Sequence, residues 1–88
     1  MVCNCSKSDP LDENTIVQTC EDEKGQWQKL IYLMRKPGQK TWRASIRERG
    51  SPLRPLPAVV DHDTSLINLR NRVEKLACGG GKKMGRRA

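Results

Sequence analysis

Eighty-eight residues, 35% of them hydrophobic, with no Phe and a formal net charge of +7, describe one small basic domain with a thin core, since a chain this short buries a modest share of its surface. The longest apolar run, Leu30 to Met34, is far too short to cross a bilayer, and the opening residues lack the basic and apolar stretches that direct secretion. These features point to a protein working inside a cell (cytoplasmic) or in a virion, with no membrane and no small-molecule substrate. The charge is split: residues 1–24 carry six acids against two bases, residues 25–60 eight bases against Glu48 alone, and residues 61–88 seven bases against three acids. That pattern predicts an anionic partner surface and an acidic arm able to fold back on the basic part.

Residues 1–14 are dominated by Ser, Asp, Asn and Pro10, turn and breaker residues that predict a flexible acidic arm. Residues 15–20 are β-branched enough for a short strand, and residues 21–25 form a polar turn. Two apolar-patterned stretches, 26–35 and 40–49, flank Pro37-Gly38. Proline pre-sets φ and glycine tolerates positive φ, the requirements of a type II turn, so a hairpin is predicted here. In its tightest register Leu33 faces Trp42 and Ile31 faces Ala44, while Tyr32 meets Arg43 on the other face. A longer loop or a shifted register is the alternative, because two-residue hairpins prefer turns of the opposite twist. Period-two alternation sends Trp42, Ala44 and Ile46 inward and Arg43, Arg47 and Arg49 outward. Residues 50–57 contain three prolines and form an extended connector. Ala58 to Val60 can add a brief edge strand. Asp61 or Asp63 is placed to cap a helix from about Thr64 to Cys78, with Leu66, Leu69, Val73 and Leu76 as its apolar stripe. Gly79 to Gly81 end that helix, and a basic tail follows. The expected fold is α+β: a small antiparallel β-meander of three strands, with a short fourth at most, and one C-terminal helix packed on it. Its parts are the arm at 1–14, a single domain at 15–78 and a Gly-rich basic tail at 79–88.

Three groups of residues carry chemical possibilities. Cys3, Cys5, Cys20 and Cys78 can supply four thiolates to a structural zinc ion, although Cys-x-Cys is not the usual ligand spacing and two of the four lie far away in sequence. Free thiols in a reducing compartment, and disulfides, are the competing states. His62 between Asp61 and Asp63 has no nucleophile or second base in a recognisable pattern, and Gly79 to Gly81 lack the strand context of a phosphate-binding loop. An enzyme is therefore not expected. The third group is the outward face of the hairpin, where Tyr32 stands with Arg43, Arg47 and Arg49, and the tail adds Lys82, Lys83, Arg86 and Arg87. Guanidinium groups suit carboxylates and phosphates, and a tyrosine can stack on a base. Arg49, Pro52 and Pro55 also fit the basic-x-x-Pro-x-x-Pro spacing read by SH3 domains, a pattern that a rigid connector explains equally well.

The opening Met1-Val2-Cys3-Asn4-Cys5 resembles that of certain short phage-encoded proteins that begin Met-x-Cys-x-Cys, although Ser6 and Lys7 stand where those proteins usually have glycine next. Five residues transfer no function, but they imply a small phage component. Taken together, the sequence predicts a non-enzymatic structural or interaction protein docking onto other protein subunits of a larger assembly, such as a phage virion. The alternatives are a small basic nucleic-acid-binding module, zinc-stapled or not, and an inhibitor of a host enzyme.

Overall fold

The computed structural model describes residues 4–51 and 56–78. Five strands and one helix follow in chain order: β1 (Asn4–Asp12), β2 (Thr15–Glu21), β3 (Trp27–Met34), β4 (Trp42–Glu48), β5 (Val59–Asp63) and α1 (Leu66–Ala77). The strands form one antiparallel sheet in the order β1-β2-β3-β4-β5, each pairing with its neighbour in sequence. The α+β class and the terminal helix agree with the sequence, but there are five strands rather than three or four.

The extra strand is the segment expected to be a flexible arm. Its polar residues carry no apolar alternation, yet its backbone pairs along β2, from Asn4 opposite Glu21 to Asp12 opposite Thr15. An edge strand can be polar on both faces because it needs only one ladder of hydrogen bonds. Pro10 is tolerated there for the same reason. The arm meets the basic part through backbone and amide groups, Arg35 donating to Asn14 Oδ1 and to the Glu13 carbonyl, while Lys7 pairs at 2.7 Å with Glu21 on the adjoining strand.

Pro37-Gly38 makes the expected turn: Gln39 N–H donates to the Lys36 carbonyl at 2.9 Å, and Gly38 sits at φ +80°. The register differs from the tightest one. Leu33 pairs with Ala44, Ile31 with Ile46 and Tyr32 with Ser45. A type II turn does not match the twist of the strands it joins, so pairing resumes only outside a wider loop. The slip is two residues, an even number, so every side chain keeps its predicted face. Trp42, left without the Leu33 partner, instead lies under the Arg35 guanidinium, 4.7 Å from the ring centroid.

Helix α1 covers one face of the sheet. Leu69 and Val73 are fully buried against Ile31, Leu33 and Ala44, with Cys5, Cys20, Trp42 and Ala77 completing the core and Ile16, Ile46, Leu66 and Cys78 packed around it. The predicted stripe is corrected at its end: Leu76 is half exposed, and Ala77 is buried in its place. Leu66, Leu69, Val73 and Ala77 centre the buried side near Val73, and Leu76 stands at its margin, beyond Leu69. The cap is also reassigned. Ser65 is the N-cap and accepts from Asn68 N–H, while Asp63 accepts from Ser65 N–H one step earlier. Among the described residues no helix is long and apolar enough to cross a membrane.

Candidate functional site

Two places gather the chemically able side chains. The first is the sheet face opposite α1. Strand pairing sets out its rows: Thr19, Leu30 and Arg47; then Val17, Tyr32 and Ser45; then Thr15, Met34, Arg43 and His62. The middle of this face is apolar, with Val17, Leu30, Tyr32 and Met34 all half-buried. No other helix or strand among the described residues lies over it.

The predicted arginine face is only partly realised. Tyr32, Arg43 and Arg47 do share this side of the sheet, as alternation requires. Arg47 is buried, however, at 4% exposure, with its guanidinium 5.1 Å from the centroid of the Tyr32 ring. Packing of the charged plane on the ring covers both groups. Arg43 is half-buried, and its Nη1 is a buried donor without an acceptor among the described residues. Arg49 lies beyond the end of β4, exposed, and donates to Gln26 Oε1 at 3.1 Å. Lys82, Lys83, Arg86 and Arg87 lie outside the described residues, as do Pro52 and Pro55 of the proline-rich pattern.

The second place is at the sheet's other side, where β1, β2 and the end of α1 converge. The ladder between β1 and β2 slips here, so that Cys5 and Ser6 stand opposite the single residue Cys20. Such a bulge bends the strand and re-aims a side chain; it leaves Cys5 pointing into the core, 6% exposed, beside a fully buried Cys20. The two are joined by a disulfide. Cys78, the C-cap residue of α1, places its Sγ 3.2 Å from that of Cys5 and is itself oxidised. Free thiols, one of the states weighed for the sequence, are therefore not what the described cysteines show. The three sulfurs lie within 4.8 Å of one another. Cys3, the fourth predicted ligand, lies outside the described residues.

Residues that sequence reasoning passed over support this cluster. Gln18 is fully buried, and its amide nitrogen donates both to the Cys5 carbonyl and to the Glu74 carboxylate of α1. Its phase on β2, two residues from Ile16 and two from Cys20, is the signal that places it inward. Its Oε1 has no hydrogen-bond partner among the described residues. A cavity of about 510 Å³ opens beside the sulfurs, lined by Cys5, Cys78, Asn71, Glu74 and Lys75 among others.

His62 lies on edge strand β5, exposed, opposite Arg43. Its acidic neighbours serve the fold. The Arg72 guanidinium donates Nε to Asp61 Oδ2 at 2.8 Å, Nη2 to Asp61 Oδ1 at 3.2 Å and Nη1 to Asp63 Oδ2 at 2.9 Å, fastening α1 to β5. Hydrogen bonds from Arg72 and from the His62 N–H hold the Asp61 carboxyl below the ordinary carboxylate range. For Asp63 the Ser65 N–H does most, and Arg72 adds to it. The same contacts push the Arg72 guanidinium further up.

Comparison with known protein families, with curated proteins and with solved structures finds no match to this chain.

Proposed function

We propose that this protein is a non-enzymatic interaction module that docks onto other protein subunits of a larger assembly through the sheet face opposite α1. One observation carries the proposal: Val17, Leu30, Tyr32 and Met34 form a contiguous half-exposed apolar patch that no described element covers. Apolar and aromatic area with an arginine at its margin is the composition of the buried centre of protein interfaces. The Arg43 Nη1 at that margin, without an acceptor among the described residues, suits a carboxylate or backbone carbonyl delivered by the partner, since buried donors are almost always matched. A virus particle is the setting to which the Met-x-Cys-x-Cys opening points.

The nucleic-acid reading is weaker on this face. Phosphate binding rests on cations that reach outward, and here Arg47 is buried on Tyr32, which removes a cation from the face. The deciding experiment has two arms. In the first, the chain and its Tyr32→Ala/Met34→Ser variant are compared for co-purification with protein subunits from the native source, with circular dichroism to show that the variant is folded. The expected result is loss of the protein partner in the folded variant. In the second, generic DNA and RNA are titrated at several salt concentrations. Salt-steep binding that persists in the Tyr32/Met34 variant and disappears in Arg43→Ala overturns the proposal in favour of nucleic acid.

A further inference from the structure

The sulfur cluster lies across the sheet from the docking face and does not depend on it. We propose that the reduced chain holds one zinc ion on the thiolates of Cys5, Cys20 and Cys78, with the fourth coordination position opening towards the adjoining cavity. Zinc binds thiolate sulfur at about 2.3 Å in tetrahedral geometry, which sets neighbouring sulfurs about 3.8 Å apart. The Cys5 and Cys78 sulfurs are 3.2 Å apart, and the widest pair of the three is within 4.8 Å. Once the Cys5–Cys20 bond and the disulfide of Cys78 are both opened, the three sulfurs, already gathered within 4.8 Å, are close enough to share one ion.

The ligands come from three regular elements far apart in sequence: bulge-aimed Cys5 on β1, Cys20 facing it on β2, and Cys78 at the cap of α1. Ligands on strands and a helix end are held more firmly than ligands on loops. Around them, Gln18 bridges the Cys5 carbonyl to Glu74, the kind of outer support that fixes ligand orientation. Soft thiolates select zinc over magnesium or calcium, which prefer oxygen. The cavity borders two of the three sulfurs and carries Asn71 and Glu74 on its wall, so a further donor has room to reach the ion.

The chemistry balances as follows. Each disulfide takes two electrons and two protons from a cellular thiol reductant, glutathione or a dithiol protein, which leaves as its own disulfide. Zinc then displaces the protons of the three thiols, so binding weakens as pH falls. The centre thus has two states: oxidised and metal-free, in which the Cys5–Cys20 bond joins β1 to β2, or reduced and zinc-loaded, in which the ion joins β1, β2 and α1.

The test uses the full chain, reduced with a phosphine under inert gas. Native mass spectrometry after zinc addition and gel filtration should show one bound zinc, and cobalt in place of zinc should give the intense visible bands of a tetrahedral thiolate site, bleached by added zinc. Cys78→Ser should lose those bands. Should that variant fail to fold, alkylation of the wild-type chain decides: zinc should protect Cys5, Cys20 and Cys78 together from iodoacetamide. A reduced, folded chain that retains no zinc, shows only the pale spectrum of hydrated cobalt, or is alkylated equally with and without zinc overturns the proposal. So does a cobalt spectrum unchanged by Cys78→Ser.

Discussion

Trp42 has its ring closed off on two sides, by the core beneath α1 and by the Arg35 guanidinium above it. It is 7% exposed. Replacing it with alanine removes the largest core side chain and the ring on which Arg35 rests, and should cost about 3–5 kcal/mol in denaturant melts. A loss below 1 kcal/mol would place Trp42 outside the core. At Asp61 and Asp63 the prediction concerns acid. Both carboxyls are held below their ordinary range by hydrogen bonds that include Arg72. The folded state therefore binds protons less readily than the unfolded one. Their contribution is fully present above the unfolded carboxylate value near 4 and is lost as pH falls through the depressed folded values. Thermal melts from neutral pH down to about 2 should show a shallower acid limb for Arg72→Met than for the parent chain. Equal limbs would mean that Arg72 does not set the two carboxyls.

Among the elements, the hairpin and the helix make opposite demands on single residues. Gly38 holds φ +80°, and a Cβ built there meets nothing within 4 Å. Gly38→Ala should thus carry a backbone penalty alone, about 1–2 kcal/mol, with the sheet otherwise intact by amide exchange. On α1 the contrast is between neighbours of like chemistry. Leu69→Ala should cost about 2–5 kcal/mol, because Leu69 is fully buried. Leu76→Ala should change stability by no more than about 0.5 kcal/mol, because Leu76 is half exposed. What the sequence discloses about these elements depends on whether burial leaves a period. Strands β2 to β4 are legible because residues 15–20 are rich in β-branched side chains, Pro37-Gly38 marks the turn, and Trp42, Ala44 and Ile46 alternate with polar residues, an alternation that a two-residue slip in register leaves untouched. Strand β1 is not legible: its order comes from pairing with β2 and from Cys5, and neither marks the polar residues between. Arg47 has the right phase for an outward arginine, but phase cannot show that Tyr32 and its surroundings will bury it. The cysteines are countable in advance; their convergence depends on a bulge in a strand that the sequence does not announce.

At the scale of the whole molecule, the core is small and the cross-links are correspondingly consequential. The Cys5–Cys20 bond closes a loop of sequence separation 15, for which chain-entropy reasoning gives about 3 kcal/mol. Reduction in the presence of a chelator should lower the melting temperature by several degrees, and zinc added to the reduced chain should recover most of the loss, because metal binding contributes to folding directly. A melt indifferent to reductant would show that the sheet and α1 hold without the clasp.

The meander runs from one edge of the sheet to the other, yet α1 turns back so that Cys78 meets Cys5. The start of β1 and the end of α1 are therefore neighbours. A domain of this shape can be spliced into a surface loop of another protein without prising that loop apart. For the same reason, linking its two ends and reopening the backbone at the exposed Pro37-Gly38 turn should yield a rearranged chain that still folds around the same core.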